Sequence, residues 1–421
     1  MIGLIDLRRA TAGELPQKQR FDLSPYEDAV RPILAAVRRD GDAALVRYAR
    51  ELDGLGERPL RVGEDEIADA GRRMCAEVRR AAEIAVRNIR QFGEAQLPRE
   101  HFEEFSPGRK LGWIVRPLSA VGCYVPSGRY PLPSTLLMTA VLAQTAGVER
   151  VCVMSPKPSL EILGCAHLLG IKEIYRAGGA HAIAALAYGT ETVAPVERIV
   201  GPGNAYVAAA KKLVAGDVSI DFVAGPTEIL ILAAEGDACV IAADMLAQAE
   251  HDTTASAVLV TTSEKLAKEV SAEIERQLVL LPTAATAREA IDCVGVIYLV
   301  ADMNAAVEIC NRLAPEHLSL HDAALLPKVR NAGAVFLGPG SPEAAGDYAA
   351  GPSHVLPTSG VARLRGGLSS ADFVKTIAVQ QLAPKALEEL ASAITTLARA
   401  EGLEAHARSI EVRFAKSSNQ N

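Results

Sequence analysis

Four short polar clusters in the second half of the chain combine residue types that bind metal ions and transfer protons. Half of the eight histidines fall in these clusters, each near a carboxylate or carboxamide group. Histidine and acidic side chains are the groups that proteins use to bind zinc and to move protons near neutral pH. The clusters are Gln248-Ala249-Glu250-His251, Pro315-Glu316-His317, Gly346-Asp347-Tyr348 with His354, and Glu401 with His406.

Two of these clusters contain possible metal ligands. Gln248 and His251 are three residues apart in a stretch whose apolar pattern predicts a helix, so both side chains can reach one point. Asp347 and His354 follow glycine-containing turns, and a carboxylate and an imidazole both suit zinc. Taken alone, Gln248 and His251 are better explained as the exposed polar face of a helix. The further potential ligands make a metal site a competitive interpretation.

The adjacent residues Glu316 and His317 follow a predicted helix over Ala305–Leu313 and could serve successive proton transfers at one site. A positioned general base contributes about 10²–10⁴ in rate. The alternative is a capping carboxylate beside a structural histidine. His406, taken alone, is typical of a surface residue near a chain end. No G-x-G-x-x-G motif follows a predicted strand, so spacing alone does not establish a dinucleotide cofactor.

The composition predicts a soluble, cytoplasmic protein of two or more domains, because 421 residues exceed what one hydrophobic core normally supports. The net charge of −7 is dispersed and aromatic residues make up 4%, which argues against nucleic acid or an anionic membrane as partner. The N-terminus lacks the apolar segment of a signal peptide, and the longest uncharged stretch, Pro131–Val148, is a poor membrane span. Seven cysteines without a C-x-x-C pair predict reduced, inert thiols.

The two ends of the chain have a helical pattern. Ser24-Pro25-Tyr26-Glu27 predicts a capping box, Gly41 predicts the end of the first helix, and Ile67–Phe92 continues the helical pattern. Near the C-terminus, Pro384–Glu401 predicts another helix, and Ser409–Phe414 predicts a short strand.

Between these ends, short β-branched runs alternate with alanine-rich helical stretches, which indicates parallel sheets covered on both faces. Two small doubly wound sheets fit this length better than a closed barrel. Glycine-rich loops around Gly178, Gly201, Gly225 and Gly338 follow strand ends, so we expect ligands at the carboxyl edges of the sheets. The predicted strands are Ala120–Val125, Val151–Met154, Glu173–Arg176, Arg198–Val200, Ile229–Leu232, Ala257–Thr261, Val294–Val300 and Gly333–Leu337.

Taken in order, these pieces resemble the histidinol dehydrogenase family. Ten separate stretches match in register and span nearly the whole chain, which is a far stronger signal than any one motif. They are Val121-Gly-Cys-Tyr124-Val-Pro, Pro133-Ser-Thr135, Ala177-Gly-Gly-Ala180, Gly201-Pro-Gly-Asn204-Ala, Ala224-Gly-Pro-Thr227, Gln248-Ala-Glu-His251, Ala314-Pro-Glu316-His317-Leu, Gly346-Asp347-Tyr348, His354-Val-Leu-Pro-Thr358 and Gly402-Leu-Glu-Ala-His406.

The resemblance implies an α/β fold with two incomplete Rossmann-like doubly wound domains, a helical N-terminal segment and a small C-terminal segment. Residues 1–20 would form the N-terminal segment, and residues 21–121 with 229–367 a first, discontinuous domain. Residues 122–228 would form an inserted second domain on the NAD side. Residues 368–421 would cross to the partner subunit of a homodimer with shared active sites.

The resemblance also implies the chemistry. L-Histidinol would be oxidised through L-histidinal to L-histidine, with two NAD⁺ molecules reduced in sequence. One Zn²⁺ per subunit would be bound by Gln248, His251, Asp347 and the other chain's His406. His317 would accept protons as hydride leaves, and Glu316 would activate the water that attacks the aldehyde.

Further positions match residues that contact the small molecules. The substrate side comprises Thr227, Tyr348, His354 and Glu401, in addition to the metal ligands and the two proton carriers; the NAD side comprises Tyr124, His181 and Asn204. Two of these depart from the family pattern, since Thr227 stands where serine is common and His181 where glutamine is common.

Three other functions remain open at this point. A relative on the same scaffold could oxidise another small alcohol, such as a sulfonated diol, although Glu401 and His406 favour a substrate with an amine and an imidazole. A zinc hydrolase would use the same metal, glutamate and histidine without a dinucleotide. A non-catalytic binding protein would tolerate the loss of His317.

Overall fold

The computed structural model describes residues 2–11, 13–17, 21–127 and 130–415. The chain forms two compact units, the first from Met1–Gln96 and Leu118–Phe373 and the second from Leu97–Pro117 and Val374–Asn421. Residues 97–117, expected in the first Rossmann-like domain, thus belong to the same unit as the C-terminal segment. The boundaries of the two Rossmann-like domains stay a prediction, and the last six residues of the expected C-terminal segment lie outside the described part.

The strands alternate with helices through most of the first unit. In chain order the strands are β1 (Gly3–Asp6), β2 (His101–Ser106), β3 (Arg109–Pro117), β4 (Ala120–Tyr124), β5 (Arg150–Met154), β6 (Glu173–Tyr175), β7 (Arg198–Val200), β8 (Ser219–Ile220), β9 (Glu228–Leu232), β10 (Ser256–Thr261), β11 (Val296–Leu299), β12 (His317–Leu320), β13 (Ala334–Leu337) and β14 (Val374–Leu382).

The helices are α1 (Ser24–Asp53), α2 (Glu64–Arg73), α3 (Ala76–Gln96), α4 (Pro133–Thr145), α5 (Leu160–Leu168), α6 (Gly179–Tyr188), α7 (Ala205–Val214), α8 (Ala238–Ala249), α9 (Glu264–Leu278), α10 (Ala284–Cys293), α11 (Met303–Leu313), α12 (Glu343–Tyr348), α13 (Pro384–Ala400) and α14 (Glu404–Ala415). Three short 3₁₀ helices span Ala323–Lys328, Val361–Arg363 and Ser370–Phe373. No described helix is both long enough and apolar enough to cross a lipid bilayer.

A parallel six-stranded sheet of order β1-β11-β10-β9-β12-β13 forms one half of the first unit. Successive residues of β9 face opposite sides of this sheet, because side chains alternate along a strand. Ile229 and Ile231 pack in a core with α8, α9 and α10. Leu230 and Leu232 pack in a second core with α11. Helices therefore cover both faces of the sheet.

A parallel five-stranded sheet of order β6-β5-β4-β7-β8 forms the other half. Tyr124 and Met154 on its central strands pack with residues of α1, α6 and α7 in one core. The helix α4 also packs against β4 and β5. Two doubly wound Rossmann-like sheets, as predicted, are thus confirmed.

The second unit is built differently. Its strands form an antiparallel sheet of order β14-β3-β2, in which Val374 lies opposite Pro117 and Leu382 opposite Arg109. The helices α13 and α14 follow and pack against each other. The unit leaves several large apolar side chains exposed to solvent: Phe102, Phe105, Trp113, Leu397 and Val412.

The eight predicted strands are all present, but several local predictions are wrong. Ser409–Phe414 lies in α14 rather than in a strand. Ser24 is the first residue of α1 and the preceding Leu23 makes no side-chain cap, so the capping box does not form. The helical run over Ile67–Phe92 divides at Met74 into α2 and α3. The break predicted at Gly41 is confirmed, since its φ of 55° interrupts α1.

Candidate active site

The predicted proton carriers, Glu316 and His317, lie at the amino edge of the six-stranded sheet. Thr227 directly precedes β9, and Glu316 directly precedes β12. The two strands are neighbours and run parallel, with His317 opposite Ile229, so both segments enter the sheet at the same edge. The expectation that this site lies at the carboxyl ends of strands is therefore wrong. The loop Ala224–Thr227 precedes β9 and therefore lies at the amino end of that strand, not at its carboxyl end.

The helix α8 carries the first potential metal ligand to this edge. It begins after β9 and ends before β10, which is parallel to β9, so its last turn returns to the amino edge. The buried Gln248 in that turn donates a hydrogen bond from Nε2 to Thr227 Oγ1 at 2.6 Å. Its Oε1 atom thereby becomes the available ligand atom. His251 lies exposed just beyond the helix.

Thr227 links this amide to the carboxylate of Glu316. Its hydroxyl donates to Glu316 Oε2 at 2.6 Å, and the backbone N–H of Glu228 donates to the same oxygen at 2.9 Å. The chain of hydrogen bonds from Gln248 through Thr227 to Glu316 fixes three side chains that lie far apart in sequence. The methyl group that threonine adds relative to serine does not disturb this arrangement.

The imidazole of His317 is oriented by the backbone. Its Nδ1–H donates to the carbonyl oxygen of Glu228 at 2.9 Å, which leaves Nε2 as the reactive nitrogen. Nε2 is buried, lies 3.5 Å from Asp347 Oδ1 and makes no hydrogen bond with any described residue. The ring also stacks near Phe336, with centroids 5.9 Å apart. A buried imidazole nitrogen that faces a carboxylate but makes no hydrogen bond is a position where a proton can be exchanged with a bound group.

Asp347 is held by the loop that follows it. It lies in α12, and the Nδ1–H of His354 donates to its carbonyl oxygen at 2.9 Å. The hydroxyl of Thr135, in the first turn of α4, donates to His354 Nε2 at 3.2 Å. Burial lowers the pKa of His354, which keeps this imidazole neutral. Tyr348, the next residue along α12, is largely exposed.

Buried acids determine the protonation of the site. Burial raises the pKa of Glu316 to about 7, although the nearby His317 and the Thr227 hydroxyl act in the opposite direction. Burial opposes the charged form of His317, but the surrounding carboxylates, first Glu316 and then Asp347 and Glu343, raise the pKa of His317 to about 10. Burial also raises the pKa of Glu343 well above 4.5. Several carboxyl groups thus share one imidazolium, and the site favours an additional cation.

The residues present fit a zinc ion. No group of three or more His, Cys, Asp or Glu side chains arranged for a metal occurs in the described part of the chain. Of the predicted ligands, the first unit of one chain carries His251, Asp347 and the amide of Gln248, and the resemblance implies that His406 comes from the other chain. An amide oxygen, an imidazole and a carboxylate are suitable ligand atoms for zinc. Two buried atoms beside these ligands, His317 Nε2 and Glu343 Oε2, make no hydrogen bond within the described part of the chain, which fits a site that binds a further group.

The two remaining predicted substrate and metal residues lie in the second unit. Glu401 directly follows α13, and His406 is exposed on α14. Their part in the active site stays a prediction.

The predicted cofactor residues lie at the carboxyl edge of the five-stranded sheet. Tyr124 ends β4, and its hydroxyl accepts a hydrogen bond from the Gly179 N–H at 3.1 Å. Burial raises the pKa of Tyr124 to about 12, so the phenol is neutral. Asn204 follows β7 and caps α7, because its Oδ1 accepts from the N–H groups of Tyr206 and Val207. The glycine loops of this sheet therefore lie at the edge where we expected them.

His181 is completely buried in α6. Its Nε2 lies 2.8 Å from Asp53 Oδ2, which also accepts the Gly178 N–H at 2.8 Å. The ring stacks near Tyr48. In this arrangement the imidazole supports the turn between β6 and α6, and a direct contact with the cofactor stays a prediction.

Several residues of the site were not identified from the sequence. Glu343 had a usable signal, because it precedes Asp347 by four residues on one helix and such residues share a face. Asp53 had none, since its partner His181 lies more than a hundred residues away. Thr135 lies in a stretch that matches the family, but nothing in that stretch indicates its hydrogen bond to the distant His354. Glu228 acts on His317 through its backbone, which no side-chain pattern reveals.

Known proteins resemble the chain over nearly its whole length. Residues 16–414 match the family model described as histidinol dehydrogenase. The histidinol dehydrogenase of Geobacillus kaustophilus (strain HTA426) is 46% identical over 424 residues, covering 98% of each chain. That of Methanothermobacter thermautotrophicus is 44% identical over 419 residues, covering 97% of this chain and 98% of the relative. The crystal structure of histidinol dehydrogenase from Elizabethkingia anophelis has a TM-score of 0.93 at 33% identity, with 99% of both chains covered.

Proposed function

The chain belongs to the histidinol dehydrogenase family, a family of oxidoreductases, and we propose that it oxidises L-histidinol to L-histidine through L-histidinal, the last steps of histidine biosynthesis. Under this proposal two NAD⁺ molecules would be reduced in sequence, one for each hydride that the substrate loses. The observation that supports this proposal best is the pairing of two buried proton carriers with different environments, Glu316 and His317, beside the hydrogen-bonded amide of Gln248.

The first oxidation needs a base at the alcohol. His317 acts in its neutral form, which requires a bound cation to offset the carboxylates that raise its pKa to about 10. Its Nε2 then takes the hydroxyl proton while the carbon-bound hydrogen leaves as hydride to NAD⁺, which yields the aldehyde and NADH. The bond from Nδ1–H to the Glu228 carbonyl keeps Nε2 directed at the substrate and stabilises the resulting imidazolium. The proton must leave His317 before the second oxidation.

The second oxidation needs a water nucleophile. Glu316, with its pKa near 7, can take a proton from water near neutral pH, and the hydroxide equivalent adds to the aldehyde carbon. His317 then takes the remaining hydroxyl proton from the hydrate as the second hydride leaves, which gives the carboxylate, with one proton on Glu316 and one on His317. The site is mostly buried, so the aldehyde stays bound between the two steps.

We assign the Zn²⁺ ligands to Gln248, His251 and Asp347, completed by His406 of the partner subunit in a homodimer. When bound, the ion would supply a positive charge that helps to orient the substrate. Tyr348, His354 and Glu401 contact the substrate, as does Thr227. Tyr124, His181 and Asn204 bind NAD. The exposed apolar side chains of the second unit support a subunit contact there.

The most direct test combines metal analysis with turnover. Purified protein should contain about one zinc per chain and form two NADH per L-histidinol, a reaction that chelation abolishes and zinc restores. NAD reduction by another small alcohol but not by histidinol would favour the rival dehydrogenase. Hydrolytic activity in a protein that does not bind NAD would favour a zinc hydrolase.

A mixing experiment tests the shared site. His251→Ala and His406→Ala chains are each expected to be inactive. Under the shared-site model, their heterodimer contains one site lacking both ligands and one intact site, so mixing restores part of the activity. Subunit exchange without recovered activity would place each site within a single chain.

A further inference from the structure

Two oppositely charged side chains are buried beneath the cofactor edge of the five-stranded sheet, and the proposed reaction uses neither. Lys211, in α7, is 2% exposed, and Asp221, directly after β8, is 4% exposed. Their side chains form an ion pair. A fully buried lysine is rare, because removing its charge from water is costly even when it is paired. We therefore ask which groups this buried ion pair binds.

The pair binds both polar backbone groups of Gly201. Asp221 Oδ2 accepts the Gly201 N–H at 2.8 Å, and Lys211 Nζ donates to the Gly201 carbonyl oxygen at 3.1 Å. Gly201 has a φ of 115°, and a Cβ atom there would overlap the carbonyl oxygen of Tyr124. The turn therefore requires glycine, and a glycine turn holds one conformation only when its surroundings fix it.

Asp221 is itself firmly anchored. Its Oδ1 accepts the N–H of Phe222 at 2.6 Å, and its carbonyl oxygen accepts a hydrogen bond from Arg365. The ammonium group of Lys211 lies 5.8 Å from the centre of the Phe222 ring. The carboxyl ends of β7 and β8 are thus tied together at the point where Gly201 leaves β7.

We propose that Lys211 and Asp221 are positioning residues for NAD. They fix the Gly201 turn, which leads through Pro202 and Gly203 to Asn204, the capping residue of α7 and a proposed NAD contact. This inference rests on the proposed function. The pair touches neither substrate nor cofactor, and it acts by holding the loop in its binding conformation before NAD arrives.

The test uses the double variant K211M/D221N, which removes both charges at similar volume. Neutral replacement of a buried ion pair is generally tolerated by the fold, whereas removal of one partner is not. We expect thermal stability near that of the wild type and an NAD Kd and KM raised about tenfold, the scale of one lost hydrogen bond to a charged group. The KM for histidinol and the zinc content should stay unchanged. The matched control is K212M, which removes the neighbouring exposed lysine that pairs with Glu27 at the surface.

The variant Asn204→Ala distinguishes a failure of the positioning role from a failure of the proposed NAD site. If N204A weakens NAD binding and K211M/D221N does not, the positioning role is wrong while the proposed cofactor site stands. If neither variant changes NAD binding, the cofactor binds elsewhere and both proposals fail. A loss of NAD affinity equalled by K212M would also refute the assignment.

A measurement on the wild-type protein covers the case in which the double variant does not fold. The Gly201 amide should resist hydrogen–deuterium exchange without NAD, because a buried carboxylate already holds it. Addition of NAD should change its exchange little. Fast exchange that becomes slow only after NAD is added would show that the cofactor, and not the ion pair, orders the loop.

Discussion

Replacement of Thr227 by valine is the most informative single change in the active site. Valine keeps the shape of the side chain but removes the hydroxyl that accepts from Gln248 and donates to Glu316, each at 2.6 Å. The hydroxyl stabilises the carboxylate form of Glu316, whose pKa is about 7 because burial acts against ionisation. A hydrogen bond to a charged group contributes about 1.5–3 kcal/mol, and about 1.4 kcal/mol corresponds to one pH unit.

We therefore expect the acid limb of kcat/KM for histidinal oxidation to move to higher pH by about one to two units in T227V. The assay is NADH formation from histidinal across pH 5–10 at saturating zinc, with Thr227→Ser as the control that keeps the hydroxyl. The T227S profile should coincide with that of the wild type. An unchanged acid limb in T227V would falsify the assignment of Glu316 as the group that activates water.

Three further predictions concern the charges around His317. His317→Asn should lower kcat by about 10²–10⁴ with histidinol binding largely retained. The control His321→Asn, a change just beyond the other end of β12, should leave kcat near the wild-type value. Equal losses of kcat in the two variants would point to a structural effect. Glu343→Gln should stabilise the metal-free protein, because the raised pKa of Glu343 means that folding stability present below about pH 4.5 is lost as the pH rises. Melting curves should show a larger increase in Tm at pH 8 than at pH 5. An equal increase at both pH values would contradict this. Zinc addition to chelated protein at pH 8 should release about one proton, since His317 is protonated when its carboxylate neighbours lack a cation. Calorimetry in buffers of different ionisation enthalpy measures this proton release. Zinc binding without proton release would count against the raised pKa of His317 in the metal-free protein.

The sequence allowed the strands of both sheets to be predicted where their residues are apolar and bounded by glycine or proline. It failed where a strand carries functional residues. The strand β12 begins at His317, and its first residues read as a polar cluster rather than as part of a sheet. The exposed strands β2 and β3 were missed because charged residues interrupt their alternation, and β14 because a C-terminal helical segment was expected there.

The residue types of the proposed site could be named from the sequence, but the geometry around them could not. Gln248, Glu316 and Asp347 could be named from motifs, yet nothing in their spacing indicates that a threonine hydroxyl links two of them. The position of the site at the amino edge was also hidden, since α8 returns Gln248 to that edge only once β9 and β10 are known to be parallel. Backbone hydrogen-bond partners, such as the carbonyl group of Glu228, cannot be predicted from the pattern of side chains.

The two functional edges must lie close together if hydride passes directly from substrate to NAD. The proposed substrate residues Thr227, Glu316 and His317 lie at the amino edge of the six-stranded sheet, and the proposed NAD residues lie at the carboxyl edge of the five-stranded sheet. Thr135 connects these edges, because it stands in the first turn of α4, the helix that follows β4, and its hydroxyl binds His354 beside Asp347. The same strand β4 ends at Tyr124, a proposed NAD contact. One connection therefore leads from the cofactor edge into the loop that holds a proposed zinc ligand, an arrangement suited to one bound substrate that gives up two hydrides in turn.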